Sequence, residues 1–277
     1  MDVAVNYSPQ AAALLTAGLL GFDRWKCAPW PELISGARRT SLPHYLHFDL
    51  QAGLRTSDKV DLDEVSNLAA GSSTPYVNLH LAPLRVDFPG VSIESDESED
   101  SAYCTEVLER TKADIAMVSD RFGLERVIVE NLPYRGPDGA RLRIGAEAWF
   151  MHRVCEEAGC GFLLDVAHAR TAAFHLGVGE REYLSSLPVH RLRELHVSGV
   201  DRDERGRLRE HMPLSEVDWK LLTWCCEEIR QGRWARPWVV ALEYGGIGPL
   251  MEWRSEASVL TAQIPNLVAL VGATERQ

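Results

Sequence analysis

The sequence predicts an α/β protein of the (β/α)8 or TIM barrel class, with residues 1–277 forming one domain. The first observation is the length, because 277 residues are close to the about 250 residues of such a barrel. The second is a series of short segments that are apolar on both faces, as the strands of a buried parallel sheet are. The third is that amphipathic segments separate these strands, as helical crossovers do. A doubly wound open sheet is the alternative.

Eight strands and the helices between them follow in chain order. The first strand leads into a helix whose start is marked by Ser8 as N-cap and by Pro9 at the first helical position. The strands are predicted at 3–7, 21–26, 45–50, 76–81, 126–132, 161–168, 193–199 and 238–244. The later helices are predicted at 61–70, 101–121, 145–158, 170–186, 215–231 and 254–270.

Composition and charge narrow the functional classes. With 45% hydrophobic and 25% charged residues, the chain has the composition of a globular protein. Its apolar runs are far shorter than the roughly 20 residues that cross a bilayer, and no leader peptide is recognised, so we expect a cytoplasmic protein without a membrane partner. A net charge of −11 disfavours nucleic acid as a partner. The six cysteines are expected to be reduced, buried thiols, and the acidic segment 94–100 to be a solvated loop.

The most informative feature is a set of ionisable residues at the ends of the predicted strands. The carboxyl ends of barrel strands meet at one mouth, where catalytic groups lie, so these side chains are expected to come together. They belong to six strands and are His47, His80, Glu130, Asp165, His168, His196 and Glu243. Taken singly, such a histidine is most often a hydrogen-bonded structural residue, and such an aspartate is often a helix cap. The combination favours a functional site.

The same combination favours metal ions. Glu130, Asp165 and Glu243 place three carboxylates in a region of low dielectric, where each unpaired charge costs roughly several kcal/mol. Because these motifs place no Lys or Arg at an equivalent strand end, the compensating charge is expected from divalent ions, which imidazole and carboxylate groups bind. His211, in the loop after the seventh strand, is a further ligand candidate. Asp165 and His168 are three residues apart and are expected to reach adjacent ions.

Other routes to chemistry have no support in the sequence. The glycine-rich segment 244–249 lacks the spacing and the lysine of a phosphate-binding loop, and no G-x-S-x-G motif indicates a hydrolase triad. Among the remaining histidines, His44, His152 and His190 are predicted to be non-ligands on helices or loops, whereas His175 could line the mouth.

The strand-end motifs also carry a resemblance to a known enzyme family. In chain order they are YLHFDL, NLHLAP, VENLP, FLLDVAHA, FHLG, ELHVSG, EHMPL and ALEYGG. In this order, over about residues 3–249, the chain resembles the multinuclear non-haem iron oxidases typified by the methanobactin-biosynthesis protein MbnB, within the xylose-isomerase-like barrels. The resemblance implies two or three iron ions and an O2-dependent oxidation of a cysteine, in a ribosomally made peptide or in a peptide built on a carrier.

The resemblance implies a distribution of ligands over the ions. One iron would be held by His47, His80 and Glu130. A second would be held by Glu130, Asp165, His196 and Glu243. A third would be held by His168 and His211. In this arrangement Glu130 bridges two ions, and the first set is also the facial triad that oxygen-activating Fe(II) prefers. Zinc and manganese are the alternative metals.

Two residues depart from the family pattern. The family usually has an Asp two residues before the histidine of the seventh loop, where this chain has Arg209 followed by Glu210. Many relatives have Asn after the sixth strand, where this chain has His168. Both departures concern the third metal position.

The resemblance also implies supporting residues and a partner. Asn131, beside Glu130, and Asn78 are candidates for orienting the metal ligands, although Asn131 could instead only cap the loop after the fifth strand. Relatives commonly work with a small protein that binds the leader peptide of the substrate. Since no such module is recognised within the barrel, a separate partner protein is expected.

Three other functions fit parts of the pattern. Sugar isomerases and epimerases of the same superfamily use one divalent metal to stabilise an enediolate. Endonuclease IV-like phosphodiesterases carry a trinuclear zinc site with a similar order of ligands, and a local basic surface at Arg135, Arg141 and Arg143 would serve such a function. A metal-binding or peptide-binding scaffold is the non-enzymatic alternative.

Overall fold

The structure is a computed structural model that describes residues 1–54, 59–89, 102–244 and 255–275. The acidic segment 94–100 and the glycine-rich segment 245–249 lie outside the described residues. The chain forms two compact units. Unit 1 comprises Met1–His47, Asn67–Pro75 and Arg193–Gln277, and unit 2 comprises Phe48–Ser66 and Tyr76–Leu192. The expectation of one domain stays a prediction.

The described residues form eleven strands and nine α-helices. The strands are β1 (Asp2–Asn6), β2 (Arg24–Cys27), β3 (His44–Leu46), β4 (Leu50–Ala52), β5 (Val77–Leu81), β6 (Val127–Asn131), β7 (Gly161–Asp165), β8 (Leu192–Val197), β9 (Gly199–Arg202), β10 (Leu208–Met212) and β11 (Val239–Leu242). The helices are α1 (Pro9–Thr16), α2 (Pro31–Arg38), α3 (Leu62–Ala70), α4 (Ala102–Phe122), α5 (Ala148–Ala158), α6 (Val166–Leu176), α7 (Glu180–Ser186), α8 (Glu216–Arg230) and α9 (Ala257–Glu275).

Unit 1 is built on parallel strands in the order β3, β2, β1, β11, β8. β1 is apolar and buried on both faces, as Val3, Ala4 and Val5 show. β9 and β10 form a separate antiparallel ribbon. α9 packs on β1, α1 and α8.

Unit 2 is built on parallel strands in the order β4, β5, β6, β7. α4 packs on this sheet and on α5. Its buried side chains include Val107, Leu108, Ile115 and Val118, which recur at helical spacing and give it one apolar face. The same periodicity in the sequence predicts this helix at 101–121.

Several local predictions are confirmed. Ser8 caps α1 by accepting a hydrogen bond from the backbone N–H of Ala11 at 3.1 Å, and Pro9 begins the helix. The predicted fourth and fifth strands correspond to β5 and β6. All six cysteines are buried thiols outside disulfide bonds.

The single strand predicted at 45–50 is wrong, because the structure has β3 and β4 with a break between them. The Asn78 side chain accepts from the backbone N–H of Phe48 at 2.8 Å and donates to its carbonyl at 2.9 Å. A side chain therefore satisfies the backbone groups that a continuous strand would pair with its neighbour.

Two other predicted boundaries are wrong for reasons of helix capping. The strand predicted at 161–168 ends at Asp165, which is the N-cap of α6. The helix predicted at 170–186 is two helices, because Gly177 ends α6 in the left-handed conformation with a φ of 73°. α2 and the ribbon of β9 and β10 have no counterpart among the predicted elements.

One helix of the described part of the chain is long and apolar enough to cross a membrane by length and composition, namely Ala257–Thr274 with a mean hydropathy of 1.4. This is weak evidence, because core helices of soluble proteins pass the same test. Its large residues Leu260, Ile264 and Leu267 are fully buried on one face, and small residues such as Ala262 and Ala269 are exposed on the other. The pattern is typical of a helix that covers a sheet.

Candidate metal centre

The first group of candidate ligands lies in unit 2 and consists of His80, Glu130, Asp165 and His168, called here the unit 2 group. His80 on β5 and Glu130 on β6 are direct partners in the parallel register. Their side chains therefore lie on the same face of the sheet, with His80 Nε2 at 3.2 Å from Glu130 Oε2. The other ring nitrogen of His80, Nδ1, lies 3.1 Å from Oδ1 of the exposed Asp49.

Asp165 and His168 join this group at the junction of β7 and α6. Asp165 is completely buried, and its Oδ1 accepts the backbone N–H of His168 at 2.7 Å. The His168 side chain lies 3.4 Å from Glu130, measured from Nδ1 to Oε1. Glu130, Asp165 and His168 each offer a ligand atom within 4.8 Å of the others. Asp165 is thus a helix cap and a candidate ligand at once.

The contacts of His168 identify the nitrogen that would bind a metal. Nδ1 lies 3.0 Å from the backbone carbonyl oxygen of Asn131. A carbonyl oxygen can only accept a hydrogen bond, so Nδ1 carries the proton and donates it. In the neutral ring Nε2 then carries the lone pair, so Nε2 is the nitrogen through which His168 would bind a metal ion.

Asn131 and Asn78 hold backbone next to the candidate ligands. The Asn131 side chain donates to the carbonyl of Asp165 and accepts from its N–H, both at 2.9 Å. Asn78 makes the equivalent pair of bonds with Phe48, the residue after His47. Each amide fixes the backbone beside a candidate ligand, which is a geometric role for a supporting residue.

The second group lies in unit 1 and consists of His47, Glu194, His196 and Glu243, called here the unit 1 group. Glu194 and His196 are two residues apart on β8 and share one face of the sheet. His196 Nε2 lies 2.8 Å from Glu194 Oε1, and His196 Nδ1 lies 2.9 Å from Glu243 Oε1. The rings of His47 and His196 are 5.0 Å apart between centroids. His47, Glu194 and His196 offer ligand atoms within 4.8 Å of one another.

The sequence did not predict two residues of this region, namely Glu194 of the unit 1 group and Lys26 beside the group. Glu194 was not a predicted ligand, although its alternation with His196 along β8 is a signal that both face one side. Lys26, the penultimate residue of β2, forms a buried ion pair with Glu243 through Nζ and Oε1. The expectation that the compensating charge comes from divalent ions is therefore wrong in part, because Lys26 supplies positive charge to Glu243 from the chain itself.

His211 reaches Glu243 from the β9–β10 ribbon. Its Nδ1 lies 3.2 Å from Glu243 Oε2, and its backbone has a φ of 60°, the one positive φ of a non-glycine residue in the described ranges. The ribbon is irregular between Arg209 and Met212. Such strain persists only where the surrounding structure fixes it, and here the irregular backbone accompanies the contact between the imidazole and Glu243.

At the position where the family pattern usually has an Asp, this chain has Arg209, whose side chain contacts a carboxylate outside the two ligand groups. Arg209 is half-exposed and lies 3.4 Å from Asp203, whereas the neighbouring Glu210 is buried. Because adjacent strand residues point to opposite faces, the two side chains lie in different environments. Glu210 is not among the predicted ligands, and the third metal position stays a prediction.

The carboxylates shift the pKa values of the imidazoles that they touch. Burial lowers the pKa of His80, but the charge of Glu130 and hydrogen bonds to Asp49 and Glu130 outweigh it and raise the pKa to about 9. Burial likewise opposes charge on His196, yet Glu243 and Glu194 raise its pKa to about 10. For Glu243, burial raises the pKa, and Lys26 and His196 outweigh it and hold the pKa well below its usual range. Metal binding must therefore displace protons from these imidazoles.

Both groups fit a metal ion by the chemistry of their donors. Imidazole nitrogens and carboxylate oxygens are the ligands of iron, zinc and manganese in proteins. In the unit 1 group, His196 Nδ1 lies 2.9 Å from Glu243 Oε1, so the two atoms are close enough to serve as two ligands of one cation. The expected ligand sets for the first and second iron each draw on both units and stay predictions.

The remaining predicted residues lie elsewhere. His175 is exposed near the end of α6, with its ring 6.4 Å from the ring of Tyr134 in the loop after β6, and it belongs to none of the ligand groups found among the described residues. Of the three arginines considered for a basic surface, Arg143 pairs with Glu147 at 2.7 Å, and Arg141 donates to the carbonyl of Pro133 at 3.3 Å.

Comparison with known proteins identifies related sequences. The sequence model of the family described as RiPP precursor modification enzyme MbnB/TglH/ChrH matches residues 42–238. A UPF0276 protein of Caulobacter vibrioides is 31% identical over 122 residues, which cover 41% of each chain. A UPF0276 protein of Acaryochloris marina is 28% identical over 191 residues, which cover 66% of this chain and 65% of the relative. The chain thus spans less than two thirds of the length of both relatives.

Comparison with solved structures shows the fold. The crystal structure of a xylose isomerase domain protein from Planctomyces limnophilus matches with a TM-score of 0.57 at 13% sequence identity, covering 98% of this chain and 97% of that one. The fold is that of the xylose-isomerase-like TIM barrels, which confirms the predicted fold class.

Proposed function

The chain belongs to the MbnB/TglH/ChrH family of RiPP precursor modification enzymes, and from this premise we propose that it is an O2-dependent oxidase with two or three iron ions that modifies a cysteine residue of a peptide. The observation that carries the proposal is the presence of a buried imidazole–carboxylate group in each unit. Buried carboxylates at this density require cations. Lys26 pairs with Glu243, and the partners of Glu130 are the imidazoles of His80 and His168.

Some residues of the site would hold iron, and others would orient the residues that hold it. Iron would be held by His47, His80, Glu130, Asp165, His168, His196, His211 and Glu243. Bound iron supplies the single-electron chemistry and the activation of O2 that no side chain offers. The carboxylates of Glu130, Asp165 and Glu243 lower the net charge of the centre, and for this they must stay ionised. Asn131 keeps the Asp165 carboxylate in place by bonding both backbone groups of that residue.

The substrate class and partner follow from the family. The family description names precursors of ribosomally made peptides as the molecules that are modified, and a cysteine thiolate is the side chain that combines readily with iron. We expect a separate protein to bind the leader of the peptide, and neither nucleic acid nor a membrane to take part. The buried free thiols agree with a reducing compartment, for which we propose the cytoplasm.

Oxygen consumption with defined peptides tests the proposal. Iron-loaded protein would be mixed with the short cysteine-containing peptides encoded next to its gene, with O2 followed by electrode and the peptide by mass spectrometry. We expect O2 uptake and a mass change that depend on the cysteine, and neither with the same peptides carrying serine instead. The variant Glu130→Gln serves as the protein control and should be inactive. Absence of O2 uptake with every such peptide, in the presence of the neighbouring leader-binding protein, would reject the proposal.

The sugar isomerases and epimerases remain a second candidate, because the solved structures that match over nearly the whole chain include a xylose isomerase domain protein. Such an enzyme would hold one Mg or Mn ion and interconvert a ketose in the absence of O2. Activity on ketohexoses with one divalent ion per chain would favour it, and tightly held zinc with cleavage of DNA would favour the phosphodiesterase.

A further inference from the structure

The two ring nitrogens of His196 face two different carboxylates. Nε2 lies 2.8 Å from Oε1 of Glu194 on the same strand, and Nδ1 lies 2.9 Å from Oε1 of Glu243. His196 is completely buried, so its ring cannot turn to exchange these partners without moving its surroundings. The surroundings of His196 therefore determine which of its ring nitrogens can offer a lone pair to a metal ion.

Glu194 has the hydrogen bonds of a residue that orients another residue. Its Oε1 accepts from the hydroxyl of Tyr45 at 2.7 Å, and its Oε2 lies 3.3 Å from the indole N–H of Trp238. With His196, Glu194 thus faces three donors and is buried, at 3% exposure. A carboxylate accepts and cannot donate, so the proton between Glu194 and His196 sits on Nε2.

The contact on the other side of the ring is different. Nδ1 of His196 lies 2.9 Å from Oε1 of Glu243. Glu243 also lies 3.2 Å from Nδ1 of His211 and contacts Lys26. Glu243 is thus the carboxylate on which the ammonium of Lys26 and two imidazoles converge, as expected of a carboxylate at a metal position.

We propose that Glu194 is a positioning residue that holds the proton of His196 on Nε2 and thereby makes Nδ1 the metal-binding nitrogen. This inference rests on the proposed metal centre. Carboxylate–histidine–metal arrangements of this kind fix the ring and raise the basicity of the ligand, and their loss costs about 10- to 100-fold in metal affinity.

Glu194 could instead bind the metal itself, since it forms a compact trio with His47 and His196. Its oxygens argue against this, because binding through Oε1 would break the bonds from Tyr45 and His196, and binding through Oε2 would disturb the contact with Trp238. Glu243 contacts the opposite side of the His196 ring. Its contacts in the described part of the chain are with Lys26, His196 and His211.

Nitrogen NMR of the zinc-loaded protein distinguishes the two roles, with Zn(II) as a diamagnetic probe of the centre. In wild-type protein labelled at histidine, long-range proton–nitrogen correlation should show His196 with zinc at Nδ1 and a proton on Nε2. The signals of His196 are assigned by their loss in His196→Gln. Zinc bound at Nε2 overturns the inference while leaving the metal centre intact, and failure of the wild type to bind zinc or iron overturns both.

Metal titrations of two variants complete the test. Glu194→Ala should lower zinc affinity about 10- to 100-fold, and Glu194→Gln should lose less, because its amide oxygen still accepts the Nε2 proton. Glu228→Gln is the matched control and should bind zinc as the wild type does. Glu228 is a buried carboxylate of α8 that pairs with Arg233, which follows the helix. If Glu194→Gln loses as much affinity as Glu194→Ala, Glu194 is itself a ligand and the positioning role is wrong.

Discussion

At the residue scale, the contribution of the ion pair between Lys26 and Glu243 to the stability of the protein depends on whether a metal ion is bound. Without a metal ion, the ammonium of Lys26 and the imidazole of His196 compensate the buried carboxylate. A bound cation would take over this task in part, because it is a larger local charge than either group. The pair therefore connects the stability of the chain with its metal content.

Replacement of Lys26 by methionine should destabilise the metal-free protein by on the order of 3 kcal/mol, because it leaves Glu243 with less compensation in a buried position. With zinc or iron bound, the loss should shrink. Urea denaturation with and without metal measures both values. Lys220→Met is the control, since Lys220 forms an exposed pair with Glu216 that is worth about 0–1 kcal/mol. A metal-free Lys26→Met protein as stable as the wild type would contradict the assigned role.

The buried thiol of Cys226 predicts a pH dependence of stability. Burial raises the pKa of this thiol from 9.0 to about 11, against a hydrogen bond with Thr274 that lowers it. Between these values the unfolded chain has lost the proton and the folded chain keeps it, so the free energy of unfolding falls as the pH rises from 9 to 11. The contribution amounts to about 2 kcal/mol.

The variant Cys226→Val isolates this contribution, because other groups titrate in the same range in both proteins. The difference in unfolding free energy between wild type and variant should be constant below pH 9 and should change above it in favour of the variant. A difference that stays constant up to pH 11 would show that the thiol ionises normally in the folded protein.

At the scale of elements, the strand ends and the supporting residues Asn78 and Asn131 were predictable, but the backbone groups that these two side chains bond were not. His80, Glu130 and Asp165 follow from the apolar runs that precede them, because such runs have clear ends in the sequence. The amide clamps of Asn78 and Asn131 depend on which backbone lies opposite, and a single sequence does not reveal that. The break between β3 and β4 escaped prediction for the same reason, since it is Asn78 that bonds Phe48 there.

Asn131 connects β6 to the start of α6, so its loss should affect both stability and metal binding. Asn131→Ala removes two hydrogen bonds and leaves buried backbone groups of Asp165 without them, at a cost of about 1–3 kcal/mol. Metal affinity should fall about 10-fold or more because the Asp165 ligand is less well held. Calorimetric titration and thermal unfolding measure the two effects.

Asn266→Ala is the matched control for this variant. Asn266 is exposed on α9 and bonds only within its own helix, to the carbonyl of Ala262 at 3.0 Å. It should bind metal as the wild type does and change stability by a few tenths of a kcal/mol, as surface substitutions do, about 0.5 at most. Equal metal affinities of Asn131→Ala and Asn266→Ala would show that Asn131 does not support the centre.

At the scale of the whole molecule, the sequence predicted the fold class, and the ligand residues stay predictions whose electrostatic surroundings the sequence did not reveal. Parallel strands and helices alternate strongly enough to indicate the barrel class, which the solved structures confirm. Lys26 was missed because it lies in a short strand of mixed composition, where a lysine is expected to be a surface residue. Glu194 was missed because it lies before the end of its strand, although period-two alternation places it beside His196.

The central claim is that these buried groups hold several iron ions, with Glu130 shared between two of them. The most direct measurement is the metal content of protein purified without oxygen, by mass spectrometry of the elements, for the wild type and for Glu130→Gln. The account predicts two or three iron ions per wild-type chain and the loss of more than one ion in the variant. One Mg or Mn per wild-type chain, or full metal content in Glu130→Gln, would contradict it.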